Sequence, residues 1–99
     1  MASSKDYLEF VLDQLSSLDG ISFKDISYKA MMGEYIIYYK GKIVGGIYDD
    51  RFLIKQTDAS RRILPDAQLE LPYEGAKPML LADPENRELL GKLLEAMVG

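Results

Sequence analysis

Ninety-nine residues, 47% apolar and 28% charged, with a net charge of −4, supply chain for one domain with one modest core and a solvated surface. The absence of cysteine and histidine excludes disulfides, thiolate catalysis and sulfur-ligated metals, and removes the commonest general base. Residues 1–50 carry 5 basic and 8 acidic side chains and residues 51–99 carry 7 and 8, so no segment can neutralise many phosphates and direct nucleic-acid binding is not expected.

In chain order, Ser3 and Ser4 are the first helix-capping residues, with Asp6 near the positive end of the helix they start. Tyr7, Val11, Leu15 and Leu18, widened by Leu8 and Leu12, make one face of that helix apolar, and Gly20 ends it. The start MASSKDYLEF has neither the basic nor the apolar region of a secretory signal. The apolar runs are far too short to cross a bilayer, so no membrane partner and a cytoplasmic location are expected.

From Ile21 the pattern becomes that of strands. Phe23, Ile26, Tyr28 and Met31 suggest a first strand without fixing its register. Tyr35 to Tyr39 are β-branched or aromatic on both faces, so both faces are expected to be at least partly covered. Ile43-Val44 and Ile47-Tyr48 make the next strand, and Arg51 to Lys55 another. Connections this short join antiparallel neighbours, because a parallel crossover takes about a dozen residues.

Thr57-Asp58 opens a short second helix that Pro65 closes. The stretch LPDAQLELPYEGAKP holds three of the four prolines and reads as loop and turn. Met79 to Leu81 form a further short strand. Asp83-Pro84-Glu85 is a helix start, followed by the apolar stripe Leu89, Leu90, Leu93, Leu94 and Met97.

Three motifs resemble chemistry and are better explained as punctuation. Gly41-Lys42 is followed by Ile43 and a strand, not by the Ser or Thr and helix of a phosphate loop, so a hairpin turn with positive φ explains it. Gly45-Gly46 marks a bulge or a close approach, with the first or last helix crossing the sheet there as the expected neighbour. Asp49-Asp50 would point to opposite faces of a strand and reads as a turn whose aspartate bonds its own backbone, not as a cation site. The tyrosines at 28, 35, 38, 39 and 48 remain open between a half-buried sheet face, an interaction patch and a ligand groove.

Met31-Met32-Gly33-Glu34-Tyr35-Ile36-Ile37-Tyr38-Tyr39-Lys40-Gly41-Lys42, followed by Asp49-Asp50-Arg51-Phe52-Leu53-Ile54-Lys55, resembles the N-terminal domain of the TfoX/Sxy family. Leu71 to Met79 resembles a variant seen in stand-alone members. Met32 stands where that family usually has an aromatic residue, and Glu34 where it has a second glycine. The resemblance implies one TfoX N-terminal-like domain over 1–99. Its fold would be α+β, an antiparallel β-meander sheet flanked by N- and C-terminal helices, similar to the type III secretion chaperones. The family's founders regulate natural competence beside the cyclic-AMP receptor protein and carry a second, C-terminal domain, which is not expected here because the sequence ends at Gly99. No catalytic residues come with the resemblance.

The expectation is a small cytoplasmic interaction or regulatory module with a protein partner, no enzymatic activity, no cofactor and no metal. Its candidate surface is Tyr35, Tyr38 and Tyr39 beside Lys40, Lys42 and Arg51. The alternative is a small-ligand binding domain, with nucleotides among the candidates and a pocket between the sheet and the Leu71–Met79 loop. A homodimer through a strand edge or the tyrosine face is compatible with a meander that leaves edges.

Overall fold

The computed structural model describes residues 4–98. Its elements are α1 (Lys5–Ser16), a 3₁₀ turn (Phe23–Asp25), β1 (Ile26–Met31), β2 (Glu34–Tyr39), β3 (Lys42–Tyr48), β4 (Arg51–Ile54), α2 (Asp58–Ile63), β5 (Leu69–Glu70), β6 (Met79–Ala82) and α3 (Arg87–Val98). The six strands form one sheet in the order β1-β2-β3-β4-β6-β5, with every pair antiparallel. The architecture is therefore α+β, a meander between N- and C-terminal helices.

α1 starts where the Ser4 side chain accepts the Tyr7 N–H at 3.1 Å, and Ser3 lies outside the described residues. Leu8, Val11 and Leu15, at spacings of three and four, are buried against the sheet together with Leu90, Leu93 and Leu94 of α3. Fully burying one such side chain contributes roughly 1.5–3 kcal/mol. From the sheet this core takes Ile37 and Tyr39, Ile47, Phe52 and Ile54, and Leu80 and Ala82. On each strand those residues alternate, so α1 and α3 cover a single face. Arg87 fixes the two helices to each other, donating to the Ser17 carbonyl and hydroxyl, both at 2.6 Å.

Four local expectations are corrected. Phe23 belongs to the 3₁₀ turn, where Ser22 caps Lys24, and the first strand begins at Ile26. The proline-rich stretch contains the two-residue β5, paired with β6. Asp83 does not start α3: its carboxylate accepts the Glu85 N–H at 2.9 Å and closes a local turn around Pro84. The helix begins after Asn86, whose carbonyl accepts from Leu90 and whose side chain accepts from Leu89. Finally, the neighbours that require Gly45 and Gly46 are strands, not helices. A Cβ at Gly45 would collide with the Leu53 carbonyl of β4. One at Gly46 would meet the Tyr35 carbonyl and the Tyr48 ring, each at 2.6 Å. Just before them β3 bulges, since Ile37 pairs with Gly45 but Tyr38 with Ile43, which leaves Val44 as the extra residue.

Candidate functional site

Three two-residue hairpins fix which side chains share a face. Met32-Gly33 (φ 52° and 84°), Lys40-Gly41 (52° and 80°) and Asp49-Asp50 (52° and 53°) all turn in the left-handed region, the type I′ geometry that matches strand twist. Gly41 and Asp49-Asp50 are thus turn residues, while Lys42 opens β3. Asp50 Oδ1 accepts the Ser4 N–H at 2.7 Å, tying the start of α1 to this hairpin. The Asp49 N–H donates to Glu34 Oε2 at 2.9 Å. Among the described residues no three acidic side chains are placed to hold a metal ion.

With this register, Tyr28, Tyr35, Ile37, Tyr39, Ile47, Phe52 and Ile54 point to the helical layer. Lys29, Met31, Glu34, Ile36, Tyr38, Ile43, Gly46, Tyr48, Arg51, Leu53 and Leu81 point away from it. This second face has two halves. Over β4, β6 and β5 it is closed. There Arg51 donates to Glu70 Oε1 at 2.6 Å and to the Leu71 carbonyl at 3.1 Å. Gln56 holds the Pro78 carbonyl at 2.8 Å, and the Tyr73 ring lies 6.4 Å from that of Tyr48. Leu53 beneath is fully buried. Burial first, then Tyr73 and Glu34, push the Tyr48 phenol above its ordinary range. Over β1, β2 and β3 the face is open: Met31 and Ile43 are 48% and 46% exposed, and Ile36 and Tyr38 are half-buried.

The six residues expected to form one surface are therefore divided. Tyr39 is buried in the core and Tyr35 packs against it, with an edge-on Tyr28 ring at 5.9 Å. Tyr38 alone of the three tyrosines faces the open side. Lys40 turns back so that its Nζ lies 5.3 Å from the Tyr39 ring centre, and Lys42 is exposed beside it. Arg51 sits at the opposite end of the sheet, where it is half-buried and paired with Glu70. The register instead groups Tyr38 with Ile36, Ile43 and Met31. Alternation along β2, combined with the two-residue turns, is the sequence signal that would have grouped them. The Leu71–Met79 segment is tied down by the contacts above, and two clefts lie elsewhere. One of about 770 Å³ runs between Leu18-Asp19 and the outer side of α3 at Glu88, Gly91 and Glu95. Another of about 300 Å³ lies between Leu64, Ala67, Leu81 and Leu89, with Asp83 and Asn86 on its rim.

Fold and site together define a small α+β protein with a one-sided helical layer and a half-open sheet. The chain is 37% identical over 83 residues to the uncharacterised 12.7 kDa protein in the trpE 5′ region of Spirochaeta aurantia, an alignment spanning 84% of this chain and 68% of that protein. It belongs to the same family as that protein. No protein-family model matches the chain, and no solved structure matches it. Among the described residues no helix is long and apolar enough to cross a membrane.

Proposed function

We propose that the chain is a small cytoplasmic protein-interaction module, of the regulatory kind that the TfoX/Sxy resemblance implies, which meets a protein partner through the open half of its sheet. The observation that supports this is the uncovered group Met31, Ile36, Tyr38 and Ile43. On this face it is bordered by Lys29 and Glu34, while Lys42, paired with Tyr39, belongs to the helical side, so its rim carries both signs of charge. Apolar centres with charged rims are the anatomy of protein interfaces. An apolar surface whose rim offers both signs of charge in turn is the complement this arrangement favours.

Affinity capture from the native lysate, with and without nuclease, tests the reading when run on three proteins. The wild type should retain a partner after nuclease, the double variant Tyr38→Lys/Ile43→Lys should lose it, and Phe10→Lys, on the helical side, should keep it. A partner that vanishes with nuclease, or that ignores the double variant, rejects the proposal. The 300 Å³ cleft, with mainly apolar walls and the polar residues Asp66, Asp83 and Asn86 in its lining, supports a second reading as a small-ligand site. A ligand-dependent rise in melting temperature that Leu89→Glu abolishes would establish it.

A further inference from the structure

The two edges of the sheet are unlike each other. β5 is two residues long and is latched by the Arg51–Glu70 ion pair. β1 is six residues long and exposed from Ser27 to Met31. The Met32-Gly33 turn makes Met31 and Glu34 a hydrogen-bonded pair, so the backbone groups of Ser27, Lys29 and Met31 point to β2. Those of Tyr28 and Ala30 then point outward, together with the Ile26 carbonyl; the Ile26 N–H bonds to Phe23. An unpaired row of this kind is a template for another strand.

We infer that this strand is β1 of a second copy, paired antiparallel across a two-fold axis with Tyr28 opposite the partner's Tyr28. Three observations select this occupant and this register. Four of the nine large apolar side chains exposed among the described residues, Phe23, Tyr28, Met31 and Met32, lie on this one edge. Phe23 stands at its start and Met31-Met32 at its end, so antiparallel self-pairing seats each end against the other, twice. The outward backbone groups restrict the symmetric registers to those that pair even-numbered residues with each other. Of the two with the longest overlap, one sets Lys29 directly against the partner's Lys29, which like-charge repulsion disfavours. The other sets Lys29 against the partner's Ser27, with the partner's Asp25 on the adjacent diagonal. That register gives each Lys29 an acidic neighbour on one diagonal and moves the partner's Lys29 from direct opposition to the other diagonal.

The resulting twelve-stranded sheet keeps both helical layers on one side and joins the two open half-faces on the other. The inference concerns an edge and holds whether or not the face itself binds a partner.

Sedimentation velocity over a concentration series tests it. The wild type is expected to be a dimer. Ala30→Pro removes only an outward N–H, which an edge strand tolerates, and should give a monomer with unchanged circular dichroism. Ser27→Glu and Ser27→Lys read the register: each change occurs twice, so the dissociation constant should fall and rise, respectively, by roughly two- to thirty-fold at low salt. A wild type that stays monomeric at every concentration overturns the proposal. So does a dimer indifferent to Ala30→Pro, or, should that variant fail to fold, one indifferent to both Ser27 substitutions.

Discussion

Among the described residues Ser60 is the most deeply buried polar side chain, with no exposed surface. Its hydroxyl donates to the Lys55 carbonyl at 2.7 Å and accepts the Thr57 N–H at 2.8 Å, while its own N–H returns to Thr57 Oγ1 at 2.9 Å. This reciprocal cap closes the corner between β4 and α2. Ser60→Ala orphans two part-buried backbone groups, the Lys55 carbonyl and the Thr57 N–H, and urea denaturation should show a loss of about 1–3 kcal/mol. The Thr57-Asp58 start was legible in the sequence because capping is local. The role of Ser60 was not, because its burial depends on how the corner packs under α3. Tyr7 carries a second prediction. Burial and then the Asp50 and Asp83 carboxylates raise its phenol above the ordinary 10.0, partly opposed by the backbone N–H of Phe52. The folded protein thus holds this proton to higher pH than the unfolded chain does. Its stabilising contribution is complete below about pH 10 and is lost as pH rises beyond it. Compared with Tyr7→Phe, the wild type should lose urea stability between about pH 9 and pH 12; parallel curves would assign the alkaline loss elsewhere.

At the scale of elements, the meander is specified by its turns more than by its strands. Lys40 and Gly41 must both adopt positive φ, and a β-branched residue resists that. Gly41→Val should lower stability by roughly 1 kcal/mol or more, read as a lower melting temperature. Gly45 differs in kind: its φ is unremarkable, but a Cβ would strike the Leu53 carbonyl of the next strand. Even Gly45→Ala should therefore cost about 1–3 kcal/mol, whereas Gly91→Ala on α3, with open space around it, should be neutral or slightly stabilising. The strands of the meander were readable because apolar alternation and two-residue connections are local signals. β5 was not, since two residues carry no periodicity and pair only because β6 is already in place. Asp83 misled for another reason: it is a good capping residue, but its carboxylate closes an Asx-type turn four residues before the helix begins.

For the molecule as a whole, the helices close one face of the sheet, and the long Arg51 side chain with the Leu71–Pro78 segment closes half of the other. What remains is an open strand side: the group around Tyr38 and the edge β1. The sequence marked the tyrosines as candidates, but residue type alone could not separate Tyr38 from Tyr35 and Tyr39. Neighbours on a strand face opposite ways, and only the register says which way is covered. Arg51, which looked like part of a cationic patch, is instead an internal latch. The inferred pairing of β1 with β1 of a second copy is tested most directly by amide hydrogen exchange on the native protein at two concentrations. The Ser27 and Lys29 amides, bonded to β2, should be protected at both. The Tyr28 and Ala30 amides, which point outward, should become protected as concentration rises. If Tyr28 and Ala30 exchange at the rate of free peptide at every concentration, β1 is a bare edge and the claim fails.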